Sequence, residues 1–298
     1  MANSKNVEYF APESLDEALR LLSEREMHIL AGGTDLLVYA HEEGFERPVL
    51  DITSIPGLDE ITLEDGEVII GPLVTYSQII SSELISKYCP LLSAVASVIG
   101  GPQIKNLGTL AGNIANASPA GDGLLALWAL SAKVRLCSLS AERVMSIYDV
   151  VLGPKKTVLL PSELITEVRI PAIEDWGWGF ERLVYRTSLA IMVVGVAAVL
   201  HLLEGRIEEV RVSAGAVAPT PVRLGWVEGA LIGREPTPRL IEEASYLCEK
   251  DVHPIDDIRG SAWYRLTVLP VLVRRAVNSA LRRGNFMNCP YKGISIQP

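Results

Sequence analysis

Apolar residues recur at helical spacing in some stretches of the chain and alternate in others, and the switches between these patterns mark its elements. Val7 to Phe10 reads as a strand. Ser14 to Glu17 has the form of a capping box, and Leu15, Ala18, Leu19 and Leu22 then trace the buried stripe of a helix. A strand at His28 to Leu30 leads into Ala31-Gly32-Gly33, followed by a helix from about Leu36 to Glu43 that stops at Gly44. Pro48 to Ile52 supplies a further strand. This β-α-β-α-β order predicts a small parallel sheet.

The texture changes after Pro56-Gly57. Glu60 to Leu63 and Glu67 to Gly71 flank Glu64-Asp65-Gly66 and predict an antiparallel hairpin. Thr75 to Gln78 is a second capping box, for a helix to about Ile85, and Pro90 opens another that Gly100-Gly101 ends. A long loop of small and polar residues follows, then a helix from Ser118 to about Ser131 with Pro119 at its first position. Val134 to Leu139, Arg143 to Met145 and Leu164 to Ile170 read as strands. Pro171 to Gly179 marks a boundary. Beyond it, Phe180 to Tyr185, Ile191 to Leu203 and Ile207 to Ala214 predict a three-stranded antiparallel sheet, the last two joined at Glu204-Gly205. Helices follow from Thr237 to about Glu249 and from Ser261 to about Arg283, the latter with a kink expected at Pro270. The tail Asn285 to Pro298 shows no period.

The expected fold class is therefore α+β: a small βαβ subdomain (residues 1–56) and an α+β subdomain (57–172) that together form a cleft, then a C-terminal antiparallel sheet with helices (173–298). Length and an apolar share of 49% suit a globular chain of this many parts. A net charge of −9 without a dense basic run argues against nucleic acid as a partner. The four cysteines, Cys89, Cys137, Cys248 and Cys289, are far apart and form no CxxC pair, so no metal site is expected within the chain. The longest apolar run, Leu189 to Leu203, is too short to cross a bilayer, and the first residues hold no apolar signal core. The expected location is the cytoplasm, without membrane insertion.

Two stretches carry the candidate chemistry: AGGTDLLV (Ala31 to Val38) and GTLAGNIANASPAGD (Gly108 to Asp122). In the first, glycines remove side chains where the backbone turns, Thr34 or Asp35 can cap the helix, and the helix start adds partial positive charge. Strand, glycine turn and helix start together form a cradle for a pyrophosphate. The same pattern serves ordinary tight turns, and neither GK[ST] nor GxGxxG is present. The second stretch offers hydroxyl and amide side chains, with Asp122 in the first turn of the following helix. The pair reads as a phosphate-and-polyol clamp. No HExxH, GxSxG or paired-carboxylate motif is present, and His28, His41, His201 and His253 stand isolated, His201 as a packed strand residue. A clamp without an acid–base set implies that a bound cofactor does the chemistry. No catalytic side chain is therefore assigned.

AGGTDLLV, IGPLVTYSQI (Ile70 to Ile79), GGPQIKNLGTLAGNIANASPAGD (Gly100 to Asp122), SAGAVAPTPVR (Ser213 to Arg223) and RGSAWYRLTVLPVLVRRAV (Arg259 to Val277) occur in that order. Over nearly its whole length the chain resembles the FAD-binding medium subunits of the molybdenum hydroxylases, the xanthine, carbon monoxide and nicotinate dehydrogenase family. Within it, the chain looks nearest to bacterial nicotinate and xanthine dehydrogenase subunits. The resemblance implies FAD between the first two subdomains. Ile29, Leu30, Ala31, Gly32, Gly33, Thr34, Asp35 and Leu36 would hold the pyrophosphate. Gly100 with Thr109, Leu110, Ala111, Gly112 and Asn113 would surround the diphosphate and ribityl chain, and Ser118 and Asp122 would bond FAD hydroxyls. Lys156 and Ile165 would meet the adenine end, and Arg182 and Ile191 would face the cofactor from the third subdomain. The implied function is electron transfer from the 2Fe–2S clusters of a small partner chain to FAD and on to an external acceptor. A large partner would carry molybdopterin, in a dimer of heterotrimers. A stand-alone FAD-dependent oxidoreductase with its own substrate is the alternative.

The chain departs from the family at three places. Thr109-Leu-Ala-Gly-Asn113 stands where TIGGN is common, so position 111 needs no positive φ here or the loop shifts. Ala190 ends a segment, after Arg186, where many members carry Asp, so neither the family's flavin potential nor NAD as acceptor is carried over. Trp263 replaces a usual acidic residue.

Overall fold

The computed structural model describes residues 7–187 and 189–284; the tail from Asn285 lies outside the described residues. The first sheet is parallel, with Val49–Asp51 between Tyr9–Phe10 and His28–Leu30. Ala18, Leu19 and Leu22 of the Leu15–Glu24 helix pack on it with Leu50, Ile52 and Ile55. Ser14 caps that helix by accepting from the Glu17 amide, while the Glu17 carboxylate reaches the Glu13 amide and not that of Ser14. The Leu36–Glu43 helix buries none of its side chains.

The second sheet has five antiparallel strands in the order Ile61–Glu64, Glu67–Ile70, Leu164–Pro171, Lys133–Cys137 and Glu142–Ser146. Thr75 and Gln78 form a complete capping box. The helix they start ends at Ser81, short of the expected Ile85, because Ser82 takes extended dihedrals and caps a new helix, Glu83–Tyr88.

The largest correction concerns Gly108 to Asp122, which is not a loop. A helix, Pro102–Leu107, precedes it, and Leu110–Asn116 is itself helical. Thr109 caps this second helix by accepting from the Gly112 amide, Leu110, Ala111 and Ile114 give it a buried face, and Ala117 ends it at φ 46°. Composition suggested a loop, yet the cap and the apolar spacing outweighed it. The next helix does not start at Ser118. Ser118 to Gly121 form a turn, with the Gly121 amide on the Ser118 carbonyl at 2.9 Å, and the helix is Asp122–Ala129. Every residue of that helix is buried, and the Ser213 hydroxyl donates to the Leu125 carbonyl at 2.8 Å, so the helix is tied to the third sheet, described next.

The third sheet has four strands where three were expected: Gly177–Leu183, Val194–Leu203, Arg206–Gly215 and Val222–Arg223. The fourth is two residues long, too short to show a period, and pairs with Ser213 and Ala214. A helix at Gly225–Leu231 was also unpredicted. Thr237 caps Pro238–Ser245, which continues as a 3-10 turn over Tyr246–Asp251. The Ala262–Arg283 helix contains Pro270 and packs on this sheet through Leu269, Val273, Ala276 and Ala280. His201 is a packed strand residue, stacked on Trp176 with Nδ1 2.9 Å from the Glu208 carboxylate. Among the described residues no helix is long and apolar enough to cross a membrane.

Candidate functional site

The two glycine-bearing stretches meet at one backbone contact. A Cβ on Gly32 would lie 1.8 Å from the Leu107 carbonyl oxygen and 3.1 Å from the Gly108 nitrogen, so only glycine lets these segments touch. Thr75 and Thr109 form a β-bridge, and the Tyr76 amide donates to the Gly108 carbonyl at 3.1 Å. Gly33 makes the turn at φ 69°. The Leu36–Glu43 helix then starts without the cap expected from Thr34 or Asp35: Asp35 occupies the N-cap position but its side chain makes no capping bond. The amides of Thr34, Asp35 and Leu36 also find no partner among the described residues. An uncapped helix start keeps its donors for an anionic ligand.

Between these segments opens a cleft of about 280 Å³. Ile29, Ala31, Gly32, Gly33, Thr34, Asp35 and Leu36 line it from the first stretch, and Thr109, Gly112 and Asn113 from the second. Gly108, Ala115 and Asn116 of the second stretch line it too, as do Tyr39, Tyr76, Ile99 and Ile104, which were not assigned to the site from sequence. A narrow apolar slot of about 90 Å³ shares Ile29, Ala31, Gly112 and Ala115 with the cleft and adds Ala111, Leu159, Leu164 and Ile165. Ala111 is a buried helical residue, which explains how alanine replaces glycine there without a positive φ.

Other expected positions lie outside these linings. Leu30 packs toward Gly33, with its Cδ1 3.1 Å from a Cβ built there, and Leu110 is wholly buried in the core. Gly100 takes φ 57° in the turn between the lining residues Ile99 and Ile104. Ser118 lies in the turn beyond the clamp helix and lines neither cavity. Lys156 is exposed on the two-residue strand Lys156–Thr157 and also lines neither. Ile191 is exposed, beside the loop whose Ala190 carbonyl accepts from Arg182 at 3.4 Å. Trp263 is exposed in the first turn of the last helix, and nothing in the structure explains the loss of the usual acid there.

Beside the cleft three buried oxygens have no hydrogen-bond partner among the described residues: Tyr76 Oη, Asn113 Oδ1 and Asp122 Oδ1. A Cβ built on Gly123 would lie 2.7 Å from the Asn113 oxygen and 3.2 Å from that of Tyr76, so these two are neighbours. The other Asp122 oxygen accepts from Arg182 at 2.9 Å, and Arg182 also donates to the Val98 carbonyl at 3.1 Å. Burial pushes the Asp122 carboxyl up to about 6 against the opposing pull of Arg182. Burial, then the charges of Asp122 and Asp35, drives the Tyr76 phenol upward as well.

The chemistry of the three oxygens restricts the ligand. Tyr76 has a proton to donate, whereas the Asn113 and Asp122 oxygens only accept. Phosphate oxygens could satisfy the first but not the other two. A polyol, whose hydroxyls both donate and accept, satisfies all three. Each orphaned group costs about 1–3 kcal/mol. Tyr76→Phe is therefore expected to stabilise the empty chain by about 1 kcal/mol and to weaken ligand binding about tenfold. Melting of the ligand-free variant and a binding titration check the two opposite signs together.

Comparison with known proteins agrees with this arrangement. Residues 5–173 match the FAD binding domain in molybdopterin dehydrogenase, and residues 181–280 match the CO dehydrogenase flavoprotein C-terminal domain. The chain is 34% identical to the nicotine 6-hydroxylase medium subunit of Paenarthrobacter nicotinovorans, over 92% of this chain and 97% of that one. It is 31% identical to the carbon monoxide dehydrogenase medium chain of Hydrogenophaga pseudoflava, over 93% and 97%. A solved carbon monoxide dehydrogenase from the same organism superposes with a TM-score of 0.89 at 32% identity, covering 94% of this chain and 99% of that one. Quinoline 2-oxidoreductase from Pseudomonas putida 86 gives 0.87 at 26% identity, covering 93% and 97%. The chain belongs to the FAD-binding medium subunits of the molybdenum hydroxylases.

Proposed function

We propose that this chain carries the FAD of a multi-subunit molybdenum hydroxylase and passes electrons from 2Fe–2S clusters on a small partner chain to an external acceptor. In this reading a large partner holds molybdopterin, the assembly is a dimer of heterotrimers, and it works in the cytoplasm. The observation that carries the reading is the pairing of an uncapped helix start, suited to phosphate, with the orphaned Tyr76, Asn113 and Asp122 oxygens, suited to a polyol. FAD holds a diphosphate next to a ribityl chain, so the residues present fit it. When bound it supplies the redox chemistry, taking electrons singly and releasing them as a pair.

The chain's own residues then bind and orient. The amides from Ala31 to Leu36 hold the diphosphate at the helix start, with Thr109 and Gly112 on the facing wall. Tyr76, Asn113 and Asp122 hold ribityl hydroxyls. The apolar slot at Ala111, Leu159 and Ile165 takes the adenine. Arg182 ties Asp122 to the Val98 and Ala190 carbonyls and so positions it, while Ile191 faces the flavin end.

Isolation of the chain from its native host tests the reading. It is expected to be yellow and to bring with it a molybdenum-containing chain and an iron–sulfur chain. A flavin-containing chain that purifies alone and oxidises a small substrate without molybdenum would point instead to a stand-alone oxidoreductase.

A further inference from the structure

Among the described residues, the lining of the cleft holds one carboxylate, Asp35, and no lysine or arginine. Buried Asp122 adds a second carboxylate beside it. A diphosphate in that place brings two further negative charges, and a helix start offers only partial positive charge against them. Arg182, from the third subdomain, is already committed to Asp122 and two carbonyls.

Lys155 is placed differently from its neighbour Lys156. Its φ of 59° turns the chain at that point. Its amide donates to the Ala117 carbonyl at 3.0 Å, which fixes it to the end of the clamp helix. Its Nζ donates to Asn116 Oδ1 at 2.5 Å and to the Tyr39 hydroxyl, and lies 4.6 Å from the Tyr39 ring centroid. Tyr39 and Asn116 both line the cleft, one from each subdomain, and both are neutral. Tyr39 lies in the first turn of the helix that starts with uncapped amides. The ammonium thus bridges the two walls of the cleft with its charge unmatched by any carboxylate among the described residues.

We infer that Lys155 is the counter-ion for the cofactor's diphosphate, an inference that rests on the FAD reading above. Its two neutral acceptors are exchanged for phosphate oxygens when the cleft fills. An ion pair with phosphate replaces two bonds from the ammonium to uncharged oxygens, and the excess negative charge of the site is reduced. Without cofactor, the same side chain makes one exposed bond to each wall, which adds little stability.

The test is a titration of the full-length, flavin-free chain with FAD, followed by flavin fluorescence at low and high salt, together with melting of the empty chain. Lys155→Met is expected to bind FAD about 10–100-fold more weakly and to lose part of the salt dependence, because one ionic contact is gone. Lys155→Arg should return affinity to within a few-fold, and Lys87→Met, at an exposed lysine paired with Glu174 outside the cleft lining, should match the wild type. The empty Lys155→Met chain should melt close to the wild type. Wild-type affinity in Lys155→Met, or a loss of affinity with an unchanged salt dependence, would overturn the inference. If the wild-type chain binds no FAD, the FAD reading fails first and this inference with it. If it binds FAD and Lys155→Met is unaffected, only the inference fails.

Discussion

Gly32→Ala is expected to empty the chain of flavin. The added methyl would sit 1.8 Å from the Leu107 carbonyl oxygen and 3.1 Å from the Gly108 nitrogen, and both obstacles are backbone. The gap must widen by more than an ångström before the contact is tolerable, and close-packed interiors do not absorb that locally. The displaced segment is the one that places Thr109 at the head of the clamp helix and receives the Tyr76 amide. Both walls of the cleft therefore move. Stability should fall by about 1–3 kcal/mol. FAD affinity should fall further, on the order of 100-fold, since several contacts are lost together. The flavin content of the purified variant and its unfolding in urea check both parts.

Asp122→Ala is the second large effect. The carboxylate offers one oxygen to Arg182 and leaves the other without a partner, at a site only 8% exposed. A ribityl hydroxyl donating to that free oxygen would be worth about 1.5–3 kcal/mol, so its loss should weaken FAD binding by about 10–100-fold. The substitution also strips Arg182 of its ion-pair partner, leaving a largely buried guanidinium on two carbonyls. Asp122→Asn separates these contributions. It keeps an acceptor oxygen and the shape while removing the charge, so the affinity loss should be several-fold smaller than in Asp122→Ala. Paired FAD titrations of the two variants, with their melting temperatures, give the comparison.

Much of this site was legible in the sequence, and the unread part has physical causes. Gly32-Gly33 between a strand and a helix announced a turn of low side-chain density, and the structure puts Gly32 at the closest backbone approach in the site. Asp122 was legible as a first-turn acid. The Gly108–Asp122 stretch misled because small and polar composition outweighed a spacing of Leu110, Ala111 and Ile114 that suits one helix face. Tyr76 was hidden for another reason. Its capping box was plain, but which way its ring points depends on the Gly108 carbonyl holding its amide from a distant part of the chain. Lys155 and Lys156 could not be separated from sequence. Both are exposed, and what distinguishes Lys155 is its left-handed φ and its side-chain bonds to Tyr39 and Asn116. The Val222–Arg223 strand offered no period to read in two residues.

Titration of the flavin-free chain with FAD, alongside Gly32→Ala and Asp122→Ala, tests the central claim most directly. The claim is that FAD lies in the cleft between the first two subdomains, held by backbone at Ala31 to Leu36 and by side chains around Asp122. The account predicts equimolar, saturable binding by the wild-type chain, with both variants folded and far weaker in binding. No saturable binding by the wild-type chain, or equal affinity in all three, would contradict it.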